Sequence, residues 1–287
     1  AIFNDASDLM LNYFIDSVLS LKDLTLGSAI ATIGDRAFRY CSALQSVTIP
    51  DSVTSIGNQA FLYCSALQSV TIGSGVTQIP AEAFSDCRAL RSVTIPDNVT
   101  SIRNFAFATC RALQSITIPD SVTSIGESAF SGSSLISLTI PNSMTSIGTY
   151  AFSRCSALRS VTIPDSVTSI GEYAFSYCIS LESIPDTVNV TSIGSHAFYL
   201  CTALQSVTIP DSVTSIGNSA FGYCSGLESV TIPDSVTSIG EYAFRRSSLI
   251  SLTIPNSMTS IGKNAFFQCR ALRSVTIPDS VTSIDDG

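Results

Sequence analysis

Hydrophobic and polar positions recur along this chain in one fixed order. The stretch LQSVTIPDSVTSIG occupies residues 44–57 and returns unchanged at 204–217. With one letter altered it stands at 158–171 and at 227–240. Within the first copy, Val47 and Ile49 alternate with Ser46 and Thr48, which predicts a strand with one apolar and one polar face. β-Branched residues at these positions favour the same assignment. Pro50 and Asp51 end the strand, because Pro has no N–H for a ladder and Asp suits a turn. Val53 and Ile56 return to the core through a second, shorter extended piece. Gly57 is expected to make a turn with positive φ. Ala60, Phe61 and Cys64 are expected to form a short helical or 3₁₀ turn, which leads to Leu67 and the next strand.

The Phe of each Ala-Phe pair measures the period. Phe38, Phe61, Phe84, Phe107 and Phe130 are 23 residues apart, and the series continues from Phe152 to Phe266. Two steps, those ending at Phe152 and Phe266, are 22 residues. The stretch SSLISLTIPNSMTSIG stands at both places, 133–148 and 247–262, so a block of five repeats is duplicated. A fixed period of this length is the signature of a solenoid. One repeat cannot bury its apolar set alone, whereas stacked repeats bury a continuous core.

The pattern L-x-x-V-x-I-P-x-x-V-x-x-I-G-x-x-A-F-x-x-C, over about 21–284, resembles the BspA-like (Treponema-type) leucine-rich repeat family. The resemblance implies a leucine-rich repeat solenoid: a β-dominated α/β fold, right-handed and curved, with a parallel sheet and 23-residue repeats. It also implies an extracellular or cell-surface role in adhesion and protein binding, with no catalytic residues to carry over. Two regions follow from the pattern. Residues 1–20 form an N-terminal cap, and 21–287 form the solenoid of about eleven repeats plus a partial one. In the cap, Leu11, Phe14, Ile15 and Val18 fall at helical spacing, which predicts a capping helix over 5–19. The last letters, VTSIDDG, stop within a repeat, which predicts an open sheet edge through which the chain could pack into a larger assembly.

Composition narrows the partners. A hydrophobic fraction of 45% with 13% charged residues describes a folded chain. A net charge of -8 disfavours phosphate backbones and anionic membrane surfaces. No apolar run is long enough for a transmembrane segment.

Candidate chemistry is sparse. Nine Cys stand three residues after the Phe of their repeats, as in Cys41 and Cys64, and match no zinc spacing. They are expected to be buried small fillers, which is compatible with a reducing compartment as well as with the cell surface. His196 is the only histidine, in a slot that varies from repeat to repeat, and no third group marks a catalytic dyad around it. Asp follows Pro in most repeats, as at Asp51, Asp97 and Asp120, and is expected to cap turns; these loops lack the further ligands of calcium loops. No cofactor or metal is expected. The strands carry Ser46, Ser69 and their equivalents, with Thr two residues later. The resulting hydroxyl lattice could meet a periodic ligand such as ice, a mineral or a polymer. Two N-V-T sequons stand at Asn98 and Asn189.

The repeat breaks at 181–193, where Pro185 takes the Thr column and Asp186 a core Ile position, so this strand is expected to shorten or bulge. Nearby are Tyr173, Tyr177, His196, Tyr199, Tyr223 and Tyr242, on or close to the Ala-Phe turns. Stacking is expected to gather them into an aromatic strip that, with Asp186, forms the candidate partner site. The expected function is a non-enzymatic interaction or adhesion module binding protein or glycan. The alternatives are a structural subunit packed by its C-terminal edge, or a periodic-surface binder.

Overall fold

A computed structural model describes residues 2–3, 20–185 and 189–284. The chain divides into two compact units, Ala1–Ser143 and Met144–Gly287. Each is a parallel β-solenoid in which most repeats lay down a longer and a shorter strand. In the first unit, a five-stranded parallel sheet runs from Ile2–Phe3 through Asp23–Leu26, Ser46–Ile49 and Ser69–Ile72 to Ser92–Thr94. In the second, seven short strands from Ser146–Ile147 to Ser283–Ile284 pair in one parallel sheet. Register equals the repeat: Val47 faces Val70, and Ser192 faces both Ser169 and Ser215.

Alternation puts the apolar set inside. Leu44, Val47, Ile49, Val53 and Ile56 are all buried. Behind the strands the Phe rings form files. Phe38, Phe61, Phe84, Phe107 and Phe130 stack at centroid spacings of 5.1–5.5 Å. In the second unit Phe152, Phe175, Phe198 and Phe221 continue the same way at 5.4–5.6 Å. Such contacts add about 0.5–1.5 kcal/mol per aromatic pair beyond area burial.

The Ala-Phe segments are not helical, and no helix occurs among the described residues. Each is a run of overlapping turns. Ala174, Ser176 and Cys178 donate N–H to the carbonyls of Gly171, Tyr173 and Phe175, three residues back. The intervening Tyr173, Phe175 and Tyr177 donate instead to Ser195, Ala197 and Tyr199 in the next repeat. A 3₁₀ turn would spend every N–H inside its own segment. Here alternate peptides are turned outward, which lets the ladder pass through the turn and satisfies buried backbone in both directions.

The turning is done by residues in the left-handed region, two per repeat. Tyr173 (φ 55°) and Tyr177 (φ 61°) are one such pair, and Thr109 (φ 61°) and Gly132 (φ 70°) fill one slot in adjacent repeats. Gly57, expected to carry positive φ, does not lie in that region. It is required by close packing instead, since a Cβ there would stand 2.3 Å from the Asp35 backbone nitrogen.

The capping helix expected over 5–19 lies outside the described residues, as does Asp186. At the break, no longer strand forms over 181–185, because Pro185 offers no N–H, yet the shorter strand Ser192–Ile193 keeps both its neighbours. Residues 114–118 also lack ladder pairing while keeping Ile118 buried, which the repeat pattern did not foretell. In the last repeat Val275 and Ile277, core positions elsewhere, are 40% and 46% exposed.

Candidate interaction surface

The cysteine file is structural. All nine thiols are free, and all but the half-buried Cys269 are buried. Each well-placed S–H donates to the Phe carbonyl one repeat back, as from Cys201 to Phe175 and from Cys224 to Phe198 at 3.3 and 3.1 Å. In the two short repeats Ser133 and Ser247 take the slot, both buried, with their N–H on the Phe130 and Phe244 carbonyls. Burial pushes the Cys178, Cys201 and Cys224 thiols up, Cys224 to about 12. A neutral, buried thiol is a poor nucleophile.

The carboxylate and amide files also belong to the scaffold. Asp51 accepts from the Ser74 N–H at 2.7 Å and hydroxyl at 3.0 Å, so it caps the turn of the next repeat, and those donors hold its carboxylate below the usual range. Asn98 and Asn189, the sequon residues, donate through Nδ2 to the carbonyls of Ser74 and Asp165. Among the described residues no three His, Cys, Asp or Glu side chains converge as a metal site. The Ser46, Thr48 and Thr71 side chains are exposed on the sheet face in straight columns.

The aromatic side chains are brought together. Tyr150, Tyr173 and His196 stack face to face at 4.6 and 4.4 Å. His196 then meets the Tyr199 ring edgewise at 5.2 Å. Tyr199 in turn meets Tyr177 at 5.8 Å and Tyr223 at 5.3 Å, both edgewise. Three positions generate this order: two before the Phe (Tyr150, Tyr173, His196, Tyr242), two after it (Tyr177, Tyr223) and one after it (Tyr199). The positions two before and two after the Phe hold outward side chains, since the turn directs Ala and Phe inward. Burial depresses the His196 pKa, against a smaller opposing effect of Glu172, so the imidazole is neutral at pH 7. Burial, with neighbouring phenols, raises Tyr173 and Tyr199.

Arginines complete the cluster, and these the repeat analysis missed. Arg154 lies over Tyr177 at 5.1 Å. The Arg245 guanidinium stands 5.1 Å from Tyr223, 5.0 Å from Tyr242 and 5.4 Å from Phe267. Arg246 also lies over Tyr223, at 5.1 Å, and its Nε donates to Gln268 at 2.5 Å. Arg245 Nε is buried without a hydrogen-bond partner, so ring faces hold this cation. A signal was present in the sequence. Between Glu241 and Asp279 there is no acidic residue, yet Arg245, Arg246, Lys263, Arg270 and Arg273 fall there. A smaller cluster, Arg39 over Tyr40 with Tyr40 stacked on Tyr63 at 5.0 Å, sits in the first unit.

Comparison with known proteins places these features in context. A family profile described as "BspA type Leucine rich repeat region (6 copies)" matches residues 9–133, 77–205 and 191–287. A leucine-rich repeat protein from Bacteroides ovatus is similar in structure, with a TM-score of 0.60 and 31% identity over 89% of this chain and 78% of that one. A leucine rich cell surface protein from Faecalibacterium prausnitzii gives 0.51 and 32%, over 88% and 78%. The T. pallidum leucine rich repeat protein gives 0.51 and 27%, over 53% and 72%. No curated protein matches the chain.

Proposed function

The chain belongs to the BspA-type leucine-rich repeat family, and from that premise we propose that it is a non-enzymatic interaction module of the cell surface or secreted space. It binds a protein or glycan partner through the aromatic flank of Met144–Gly287. One observation carries the reading: an unbroken series of ring and cation contacts from Tyr150 through Tyr173, His196, Tyr199 and Tyr223 to Arg245 and Tyr242. Tyr and Arg are the side chains that most often dominate binding energy at interfaces. Rings held by one another lose little rotamer freedom on binding. The surface location is supported by the F. prausnitzii relative, described as a cell surface protein. Asp186 belongs to this proposal only through its place in the sequence, at the break in the repeat.

The test is binding to arrayed glycans and immobilised extracellular proteins by the intact chain and by a Tyr173→Ala, Tyr177→Ala, Tyr223→Ala variant. A loss of at least about tenfold is expected from three truncated interface aromatics. Unchanged binding would remove the aromatic flank from the function.

A further inference from the structure

A groove of about 710 Å³ runs beside the aromatic flank in the second unit, across four successive repeats. One wall carries Tyr223 and Arg246 from the column two residues after the Phe. The other carries Thr202, Ser225, Ser248 and Arg270, which are equivalent positions of adjacent repeats. The lining therefore advances by one strand spacing, about 4.8 Å, from each side chain to the next.

Its hydrogen-bonding polarity is specific. The Thr202 hydroxyl donates to the Ile179 carbonyl at 3.1 Å, and the Ser248 hydroxyl donates to the Ser225 carbonyl at 2.6 Å. Both O–H groups are spent on backbone, so their oxygens face a ligand as acceptors. Arg246 and Arg270 are exposed, and the only ion pair among the described residues is Arg88 with Asp86 in the other unit. Their remaining N–H groups are donors only, and carry charge. Arg246 is held in place by Tyr223 and Gln268. The groove thus asks for a ligand that offers hydroxyl donors and carboxylate acceptors together, repeated at about the length of one rung.

We propose that this groove binds a carboxylated polysaccharide, with sugar hydroxyls donating to Thr202 and Ser248 and carboxylates paired with Arg246 and Arg270. The proposal deepens the interaction reading and rests on it. An acidic peptide is the weaker match. Its residues advance about 3.3 Å in extended form, out of step with the rungs. Charge supports the choice of an anion. The chain is acidic overall at -8, yet the run from Tyr242 to Pro278 has five basic and no acidic residues. An anion is therefore favoured along this stretch, from which Arg246 and Arg270 line the groove.

The experiment measures binding of polygalacturonate by calorimetry to the intact chain at low and moderate salt, with neutral dextran and poly-glutamate as comparison polymers. Polygalacturonate is expected to bind, more weakly as salt rises, with dextran silent and poly-glutamate at least about tenfold weaker. An Arg246→Gln, Arg270→Gln variant is expected to lose at least about tenfold, on the scale of hydrogen bonds to charged groups. An Arg91→Gln, Arg111→Gln variant of the first unit should bind like the parent, and circular dichroism checks that both variants fold. No binding of polygalacturonate, equal binding of poly-glutamate, or undiminished binding by the folded Arg246 and Arg270 variant overturns the proposal. The Tyr173→Ala, Tyr177→Ala pair lies outside the groove. Loss of partner binding in that pair with polygalacturonate binding intact separates the two readings.

Discussion

At the residue scale, the least expected feature is the use of non-glycine side chains in the left-handed region. Twice in each repeat the backbone turns at φ 53–70°, and only Gly132 among these positions is glycine. Each L-residue there carries a steric cost of about 1–2 kcal/mol, offset by the ladder bond that the turned peptide gives to the next repeat. The β-branched Thr109 is the most strained occupant, and Gly132 shows that the slot accepts glycine. Thr109→Gly is therefore expected to raise the urea midpoint by the equivalent of about 1 kcal/mol, the steric relief being partly offset by a freer unfolded chain. A lower midpoint would mean that the Thr109 side chain contributes more than its conformation costs. Val47, Ile49 and Phe61 were legible as core from alternation and period alone. The left-handed pairs were not, since Tyr, Arg and Thr have no preference for that conformation.

At the element scale, the Cys file sets a pH limit. The thiols are raised by burial, Cys224 from 9.0 to about 12. A group raised in the folded state contributes its full stability below the unfolded pKa and loses it as pH rises toward the folded value. Stability is thus expected to be flat up to about pH 9 and to fall from there toward 12, because the unfolded chain releases thiol protons that the folded chain retains. Each fully shifted thiol contributes about 1.4 kcal/mol per pH unit. Urea midpoints from pH 7 to 11 measure this, and a flat profile would mean that the thiols reach solvent. The file's regular spacing was plain in the sequence, and so was its burial. The sulfur-to-carbonyl bonds, and the use of Ser133 and Ser247 in the short repeats, required the stacking.

At the scale of the whole molecule, stability is a sum of repeats and their neighbour contacts. Interior core residues such as Phe175, Cys178 and Leu181 are fully buried, whereas Phe266, Cys269 and Leu272 are only partly so, and Val275 is exposed. Hydrogen exchange is expected to be fastest over 266–284 and slowest over 152–178, within Met144–Gly287. Uniform protection would mean that the last repeat has a cover. Charge is as uneven as burial, with the acidic chain interrupted by a basic run at 242–278. Sequence alone determined the period, the apolar rungs, the parallel register and the family, because each follows from identical side chains recurring at 23-residue steps. The approach of Tyr173, Tyr199 and Tyr223 was legible too, as columns of one stack. Tertiary structure decided what lies between columns: the outward turning of alternate peptides, the seat of Arg245 among three rings, and the groove of Arg246 and Arg270. These depend on where neighbouring turns direct their side chains, and that direction is set by left-handed backbone at residues whose letters do not announce it.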